Sequence, residues 1–171
     1  MASIGQPNVS GFATAISRPE ARARAYQEVF EENRHRLYSL AFYMSGNELV
    51  AEELMVNTFC RAFALSPDPD VETIDRALVT ELRELMPLGA LTLECAPAAD
   101  VVGLRRNTKR VELEAAVAQL PATERMIFLL HDVERCDHAR IGRLLGLNDQ
   151  ESSYGLHQAR LRLRELLASK A

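Results

Sequence analysis

Apolar residues recur at helical spacing in several separate stretches of the chain, and no stretch shows the strict alternation of a β-strand. Before residue 87, three such stretches are separated by breaks at Ser45 and at the Pro- and Asp-rich segment 66–70. This pattern predicts amphipathic helices at about 19–44, 45–65 and 71–86, the second starting from a capping box of Ser45 and Glu48. Their predicted inward residues are Tyr26, Phe30, Leu37, Leu40, Ala41 and Met44, followed by Leu54, Thr58, Ala62 and Leu65.

A second helical cluster begins near Lys109, with helices predicted at about 109–119 and 121–134 and two more joined by a very short turn. Asp137 is placed to cap the first helix of this pair, and Gly146 can take the left-handed conformation that ends it. Asn148 and Glu151 have the spacing of a capping box, which predicts that the next helix begins there. The pattern indicates a helix-turn-helix and therefore duplex DNA as a ligand.

The last helix is predicted to have one buried face and one exposed face. Residues predicted to face inward are Ser152, Leu156, Ala159, Leu163 and Leu166. The DNA-binding candidates on the rest of the helix are Gln150, Ser153, Tyr154, His157, Gln158, Arg160, Arg162 and Arg164. The alternative for each of these residues is an ordinary solvated side chain that contacts no DNA.

The predicted fold class is all-α, with two small helical domains joined by a linker, the second of them a helix-turn-helix domain. Residues 1–17 are rich in small residues without periodicity and are interpreted as a flexible tail. The first domain is assigned to 18–86 and the second to 109–171. Between them, residues 87–108 are small, apolar or turn-forming, which is typical of a linker.

Charge is distributed unevenly along the chain. Residues 1–86 carry 8 Lys and Arg against 13 Asp and Glu, whereas residues 109–171 carry 10 against 9. The acidic first half suits a basic protein surface better than DNA, and basic residues near the end of the chain could contact phosphates.

Composition narrows the function classes. The chain has three cysteines without paired spacing, no apolar run long enough to cross a bilayer and no secretion signal, so we expect a cytoplasmic protein with no membrane partner. His131, Cys136 and His138 lack the fourth ligand of a zinc pattern, so no metal or cofactor is expected. There is no phosphate-binding loop, nucleophile elbow or zinc-protease motif, so an enzyme is not expected.

The two clusters resemble the extracytoplasmic-function (ECF) sigma factors of bacterial RNA polymerase, a group within the sigma-70 family. In the second cluster, segment 120–130 resembles a family motif, because it begins with Leu120-Pro121 and carries Glu124-Arg125 ahead of an apolar run. Segment 141–147 is similar to the scaffold helix and turn of the family, and segment 156–167 is similar to its recognition helix. In the first cluster the similarity lies in Ala51-Glu52-Glu53-Leu54 and in segment 59–63.

The resemblance implies three partners: promoter DNA, the core polymerase through its β′ clamp helices and β flap, and an anti-sigma factor. It implies polymerase docking through Glu52, Glu53, Leu54 and Asn57. Segment 73–86 lacks the Trp and the Ile-Ala-x-Asn run usual for the family, so the resemblance implies a degenerate promoter-melting segment.

Three functions remain open at this point. The first is a sigma factor that directs polymerase to specific promoters. The second is a sigma-like interaction protein that binds an anti-sigma factor or the polymerase without opening promoters. The third is a stand-alone DNA-binding repressor.

Overall fold

The computed structural model describes residues 18–93 and 109–169, and all regular structure in these ranges is helical. The tail 1–17 and residues 94–108 of the linker lie outside the described residues. The prediction of an all-α fold with two helical domains is confirmed. The helices are α1 (Arg18–Ser45), α2 (Glu48–Leu65), α3 (Val71–Leu85), α4 (Arg110–Val117), α5 (Ala122–Phe128), α6 (His138–Leu145) and α7 (Asp149–Ala168), and a π-helical turn, Leu129–Val133, continues α5.

The amino-terminal unit consists of α1, α2 and α3 packed side by side. The predicted stripe of α1 is buried at Leu37, Leu40, Ala41 and Met44, while its aromatic end packs on α2. The prediction for Leu65 was wrong, since this side chain is 66% exposed. Leu65 is the last residue of α2, and the backbone turns to an extended conformation directly after it.

The start of α2 also differs from the prediction. Ser45 is still part of α1, and Gly46, in the left-handed region with φ of 68°, ends that helix by donating to the Phe42 carbonyl at 2.7 Å. The cap of α2 is therefore Asn47, whose side-chain oxygen accepts hydrogen bonds from the amides of Leu49 and Val50. The capping box of Ser45 and Glu48 does not form.

The carboxy-terminal unit consists of α4 to α7 with the π-helical turn. Its core includes Met126, Ile127, Leu130, Ile141 and Leu145, all fully buried. Burial of this apolar surface, at about 25 cal/mol per Å², is the main force that holds such short helices together. In the described ranges, no helix combines the length and apolarity needed to span a bilayer.

The two units lie against each other through charged contacts. Asp75 of α3, fully buried, accepts from Arg36 of α1 at 2.7 Å and from Arg140 of α6 at 2.5 Å. Glu134, just after the π-helical turn, lies 3.6 Å from Arg36, and its burial raises the pKa of its carboxyl. We call Arg36, Asp75, Glu134 and Arg140 the charge cluster.

Each unit also caps a helix of the other. Arg83 of α3 donates to the Leu144 and Leu145 carbonyls at the end of α6, at 3.4 and 3.1 Å. Arg125 of α5 donates to the Met44 carbonyl at the end of α1, at 2.9 Å. The last carbonyls of a helix have no partner within it, so both arginines satisfy groups that would otherwise need water.

Candidate nucleic-acid interface and protein-docking surface

The turn between α6 and α7 has the geometry predicted for a helix-turn-helix. The Asp137 side chain accepts from the Arg140 amide at 2.7 Å and begins α6, and Gly146, with φ of 77°, ends it. Asn148 and Glu151 form the expected reciprocal capping box, with both bonds at 2.8 Å. Both helix ends are thus fixed by local hydrogen bonds, which sets the direction in which α7 leaves the turn.

A second glycine of this turn was missed by the sequence reasoning. The Leu147 carbonyl folds back so close to Gly142 of α6 that a β-carbon there would collide with it. The Gly142 carbonyl meanwhile accepts from the amides of Gly146 and Leu147 at 2.8 and 3.0 Å. Only glycine fits at position 142 without a shift of the turn.

The outer face of α7 is available to a partner. Gln150, Ser153, Tyr154 and His157 are all exposed, as expected for side chains that could reach a DNA groove. Ser152, Leu156, Ala159 and Leu163 are buried on the opposite side and Leu166 is half-buried, so the predicted division into two faces holds for these residues.

Gln158 was wrongly predicted to lie near the DNA-binding face. Only 4% of its surface is exposed. Helices α4, α5 and α6 all pack against α7, and the arc they cover is wider than the stripe of apolar residues suggests. In this structure the Gln158 side chain cannot reach a nucleic acid.

Two of the three predicted arginines are engaged with carboxylates. Arg160 binds Asp132 of the π-helical turn through two hydrogen bonds, at 3.0 and 2.6 Å, and Arg162 lies 3.1 Å from Glu165. Burial opposes ionisation of Asp132, but hydrogen bonds from Arg160 and His131 outweigh it and hold the pKa of its carboxyl below its ordinary value. Arg164 is exposed and has no ion pair within the described ranges.

The three residues considered as a loose metal set have other contacts. The rings of His131 and His138 stack with centroids 4.8 Å apart, and His138 shares a hydrogen bond with the buried Ser152 hydroxyl. Burial raises the pKa of the Cys136 thiol. Over residues 18–93 and 109–169, no group of three possible ligands could hold a metal ion.

The predicted polymerase-docking residues lie on α2. Glu52, Glu53 and Asn57 are exposed on its outer face. Leu54 was wrongly assigned to this surface: it is 4% exposed, because it shares the inward stripe of α2 with Ala51, Thr58 and Ala62.

Exposed apolar side chains beside these carboxylates were missed by the sequence reasoning. Leu49 is 77% and Val56 52% exposed on the same helix. Between α1 and α2, a groove of about 320 Å³ is lined by Phe30, Arg34, His35, Tyr38, Glu52, Met55 and Val56. We call Leu49, Glu52, Glu53, Val56 and Asn57 the α2 surface.

Three comparisons with known proteins found a matching family model, a relative and a similar fold. The family model described as "Sigma-70, region 4" matches residues 110–163, which span α4 to most of α7. The ECF RNA polymerase sigma factor SigE of Mycolicibacterium smegmatis is 26% identical over 164 residues, covering 87% of this chain. The chain spans 64% of the length of that relative.

A solved structure shares the fold. It is the sigma factor RpoE from Bartonella quintana in complex with the anti-sigma factor NepR, and it matches with a TM-score of 0.65 and 15% identity over 85% of this chain and 98% of RpoE. The helix-turn-helix geometry, the family model and the relative point to one family. Residues 110–163 therefore match region 4 of the sigma-70 family, and the chain as a whole is similar to a sigma factor of the ECF group.

Proposed function

We propose that this protein is a sigma factor that directs bacterial RNA polymerase to specific promoters. The observation that carries the proposal is the outer face of α7, where Gln150, Ser153, Tyr154 and His157 stand exposed on a helix fixed at its start. An α-helix fits the major groove, where each base pair presents a distinct pattern of donors and acceptors. In this proposal α7 reads the upstream promoter element, and the role is not enzymatic.

The α2 surface is the proposed contact with the core enzyme. It combines the carboxylates of Glu52 and Glu53 with the exposed apolar side chains of Leu49 and Val56. Charge complementarity would guide it to a basic surface, and the apolar side chains would supply contact area. The α2 surface is proposed to contact the β′ clamp helices, and the carboxy-terminal unit is proposed to contact the β flap. This role places the protein in the cytoplasm.

An anti-sigma factor is a further proposed partner. The support is the fold shared with RpoE, which was solved in complex with the anti-sigma factor NepR.

The charges on α7 predict weak binding to DNA by the protein alone. Arg160 and Arg162 are held by carboxylates, and Asp149 and Glu151 place negative charge at the start of the helix. Docking on the polymerase would offset this weakness, because a tethered helix meets its DNA site at a high effective concentration.

The decisive experiment is run-off transcription with core polymerase on a promoter library. We expect the wild-type chain to give transcripts from a defined subset of promoters. The double variant Tyr154→Ala/His157→Ala should lose about 1–3 kcal/mol of affinity for the selected upstream element per lost base contact, while core polymerase binding is retained. The control is Gln119→Ala, at an exposed position between α4 and α5, which should change neither the affinity for the upstream element nor the binding of core polymerase.

The docking half of the proposal is tested separately with Glu53→Lys and Val56→Asp. Both changes lie on exposed positions and should weaken the binding of core polymerase without unfolding the chain. Glu28→Lys, an exposed change of the same charge on α1, is the matched control. Polymerase binding without any transcript would favour an interaction protein over a sigma factor, and a footprint without polymerase would favour a repressor.

A further inference from the structure

Two histidine rings lie against each other beside the helix-turn-helix. His131 belongs to the π-helical turn and His138 is the first residue of α6, and their rings stack with centroids 4.8 Å apart at an angle of 23°. In a continuous α-helix, residues seven positions apart are separated by about 10 Å. The π-helical turn and Arg135, whose φ of 61° lies in the left-handed region, redirect the chain between the two rings. Such irregular backbone is frequent at functional sites.

One nitrogen of each ring is held by the protein. The Nδ1 atom of His131 lies 2.7 Å from a carboxylate oxygen of Asp132, and the Nδ1 atom of His138 lies 3.0 Å from the hydroxyl oxygen of Ser152. Neither Nε2 atom forms a hydrogen bond within residues 18–93 and 109–169, and both side chains keep partial contact with solvent. The Nε2 atoms are therefore the ones that a ligand can reach.

The Asp132 carboxylate decides which nitrogen carries the proton when the His131 ring is neutral. Burial opposes ionisation of Asp132, but the hydrogen bonds from Arg160 and His131 outweigh it and hold the pKa of this carboxyl below its ordinary value. The ionised carboxylate only accepts, so Nδ1 of His131 is the donor and Nε2 of the neutral ring carries a lone pair. That lone pair repels an anion, whereas the protonated ring donates to it. At His138, the Ser152 hydroxyl donates or accepts, so either nitrogen can carry the proton.

The charge beside His131 depends on its proton. Arg160 of α7 binds Asp132 through two hydrogen bonds, at 3.0 and 2.6 Å, so these two side chains balance each other. Protonation of His131 makes this group of three net positive. The site then attracts an anion, and without the proton it is close to neutral.

The carboxylates nearest to the pair along the chain have partners of their own. Glu134 lies 3.6 Å from Arg36, and Asp137 and Glu151 accept from the backbone amides of Arg140 and Asn148. On α5, which the π-helical turn continues, Glu124 accepts from the amides of residues 92 and 93, and Arg125 donates to the end of α1. Arg135, between the two rings in the sequence, is exposed and adds positive charge.

The pair lies where a helix-turn-helix meets the DNA backbone. The first helix of such a motif crosses the backbone, while the second helix lies in the major groove. His138 begins the first helix, and its bond to Ser152 ties the pair to the start of α7, where Gln150 and Ser153 are exposed. Half or more of the hydrogen bonds between proteins and DNA go to phosphates and sugars. A phosphate is therefore the ligand group that fits this position.

We propose that His131 and His138 hold one backbone phosphate of the DNA duplex, and that His131 takes up a proton when the phosphate binds. The inference rests on the proposed function, in which α7 lies in the major groove. Rings 4.8 Å apart can both donate to one phosphate group, because charge-assisted hydrogen bonds span about 2.7–2.9 Å. Binding that takes up a proton strengthens as the pH falls, here over the range in which histidine gains its charge.

The first test measures the affinity for a short labelled duplex of mixed sequence by fluorescence anisotropy at about 50 mM salt, since phosphate contacts need no particular sequence. Wild type should bind about tenfold more tightly at about pH 6 than at about pH 8. His131→Phe keeps a ring that stacks on His138 but has no ring nitrogen, so its weak binding should change by less than about twofold. His131→Arg carries a permanent charge and should bind at the higher pH about as tightly as wild type binds at the lower pH.

The other two histidines of the chain are the matched controls. His35 is exposed on α1, and His157 is exposed on the outer face of α7. His35→Phe should bind the duplex as wild type does. His157→Phe should weaken binding at both pH values and keep the dependence on pH. The proposal is overturned if the pH dependence is lost in His157→Phe and retained in His131→Phe, or if His131→Arg gains no affinity at the higher pH.

The second test replaces DNA by sulfate, a phosphate mimic whose charge is constant between about pH 6 and pH 8. In nuclear magnetic resonance spectra, the ring signals of His131 and His138 should shift on addition of sulfate at the lower pH and far less at the higher pH. Absence of any shift would overturn the proposal. Sulfate binding combined with pH-independent duplex binding would also overturn it, because the pair would then take free anions and not DNA.

The two proposals fail in different ways. If no variant binds the duplex at either pH, the proposed function is refuted, and the sulfate titration still decides whether the histidine pair binds an anion. If the duplex binds but wild type and His131→Phe share one pH profile, the proposed function stands and the phosphate site is refuted. Urea denaturation of each variant shows whether a loss of affinity reflects a loss of folding.

Discussion

At the scale of single residues, Gln158 has an unusual environment. It lies inside the carboxy-terminal unit, and its Nε2 atom has no hydrogen-bond partner within the described ranges. A buried amide group left without a partner costs about 1–3 kcal/mol. Methionine has a similar length and volume and carries no group that needs a partner.

We therefore expect Gln158→Met to raise the free energy of unfolding by about 1 kcal/mol, measured by urea denaturation. DNA affinity should stay unchanged, because the residue does not reach the outer face of α7. The exposed Gln150→Met is the matched control and should leave stability within about 0.5 kcal/mol. A loss of DNA affinity in Gln158→Met that equals the loss in Tyr154→Ala/His157→Ala would contradict the burial of this side chain.

The residues whose roles were predicted correctly from the sequence interact with residues close to them along the chain. Asp137, Gly146 and Asn148 act within three or four positions along the chain, so their capping roles follow from spacing alone. Gln158 and Leu54 depend on which helices pack around them, and periodicity places such borderline positions poorly.

At the scale of elements, Arg160 and Asp132 join α7 to the π-helical turn. The bonds formed by Asp132 hold the pKa of its carboxyl below its ordinary value of 3.8. A carboxyl with a lowered pKa in the folded state stabilises the fold above its unfolded pKa, and this stabilisation is lost as the pH falls through the folded value.

We expect the stability difference between wild type and Asp132→Asn to be constant above about pH 5 and to shrink below about pH 4. Chemical denaturation at a series of pH values measures it. Arg160→Gln should show the same pH dependence. The double variant Asp132→Asn/Arg160→Gln should lose less unfolding free energy than the sum of the losses in the two single variants. A difference that does not vary with pH would show that the pair adds no stability.

The helices themselves were mostly predictable, because each has an amphipathic pattern with clear breaks. The predicted ends of α1 and α3 lie within one residue of those in the structure. The start of α2 was misplaced because the spacing of Ser45 and Glu48 also fits a capping box, although the cap in the structure is Asn47. Gly46 decided the outcome by ending α1 one residue after Ser45.

At the scale of the whole molecule, the charge cluster joins the two units across long separations in sequence. Asp75 is fully buried between Arg36 and Arg140, which are 39 and 65 residues away from it. Removing one member of a buried ion pair leaves its partners without compensation and costs about 3–5 kcal/mol.

Asp75→Asn should therefore lower the free energy of unfolding by about 3 kcal/mol, near the low end of that range because both arginines keep some contact with solvent. Urea denaturation measures the loss. Glu84→Gln, also on α3 but exposed, should change stability by less than about 0.5 kcal/mol. Equal effects of the two changes would show that the charge cluster adds nothing to the stability of the packed units.

The packing of the two units against each other was not predictable from the sequence. Residues 87–93 have no clear period and were interpreted as part of a linker, because the partners that order them, Glu124 and Gly155, lie in helices far along the chain. Likewise, nothing local shows that Arg83 and Arg125 serve helices of the opposite unit.

These two arginines have a practical consequence for dissecting the protein into halves. A fragment ending after α3 would lose the guanidinium that covers the final carbonyls of α1, and a fragment starting at α4 would lose the one that covers the end of α6. In each isolated half, the last turn of one helix, α1 or α6, would be frayed. Affinities measured on such fragments would then include a folding cost that the intact chain does not have.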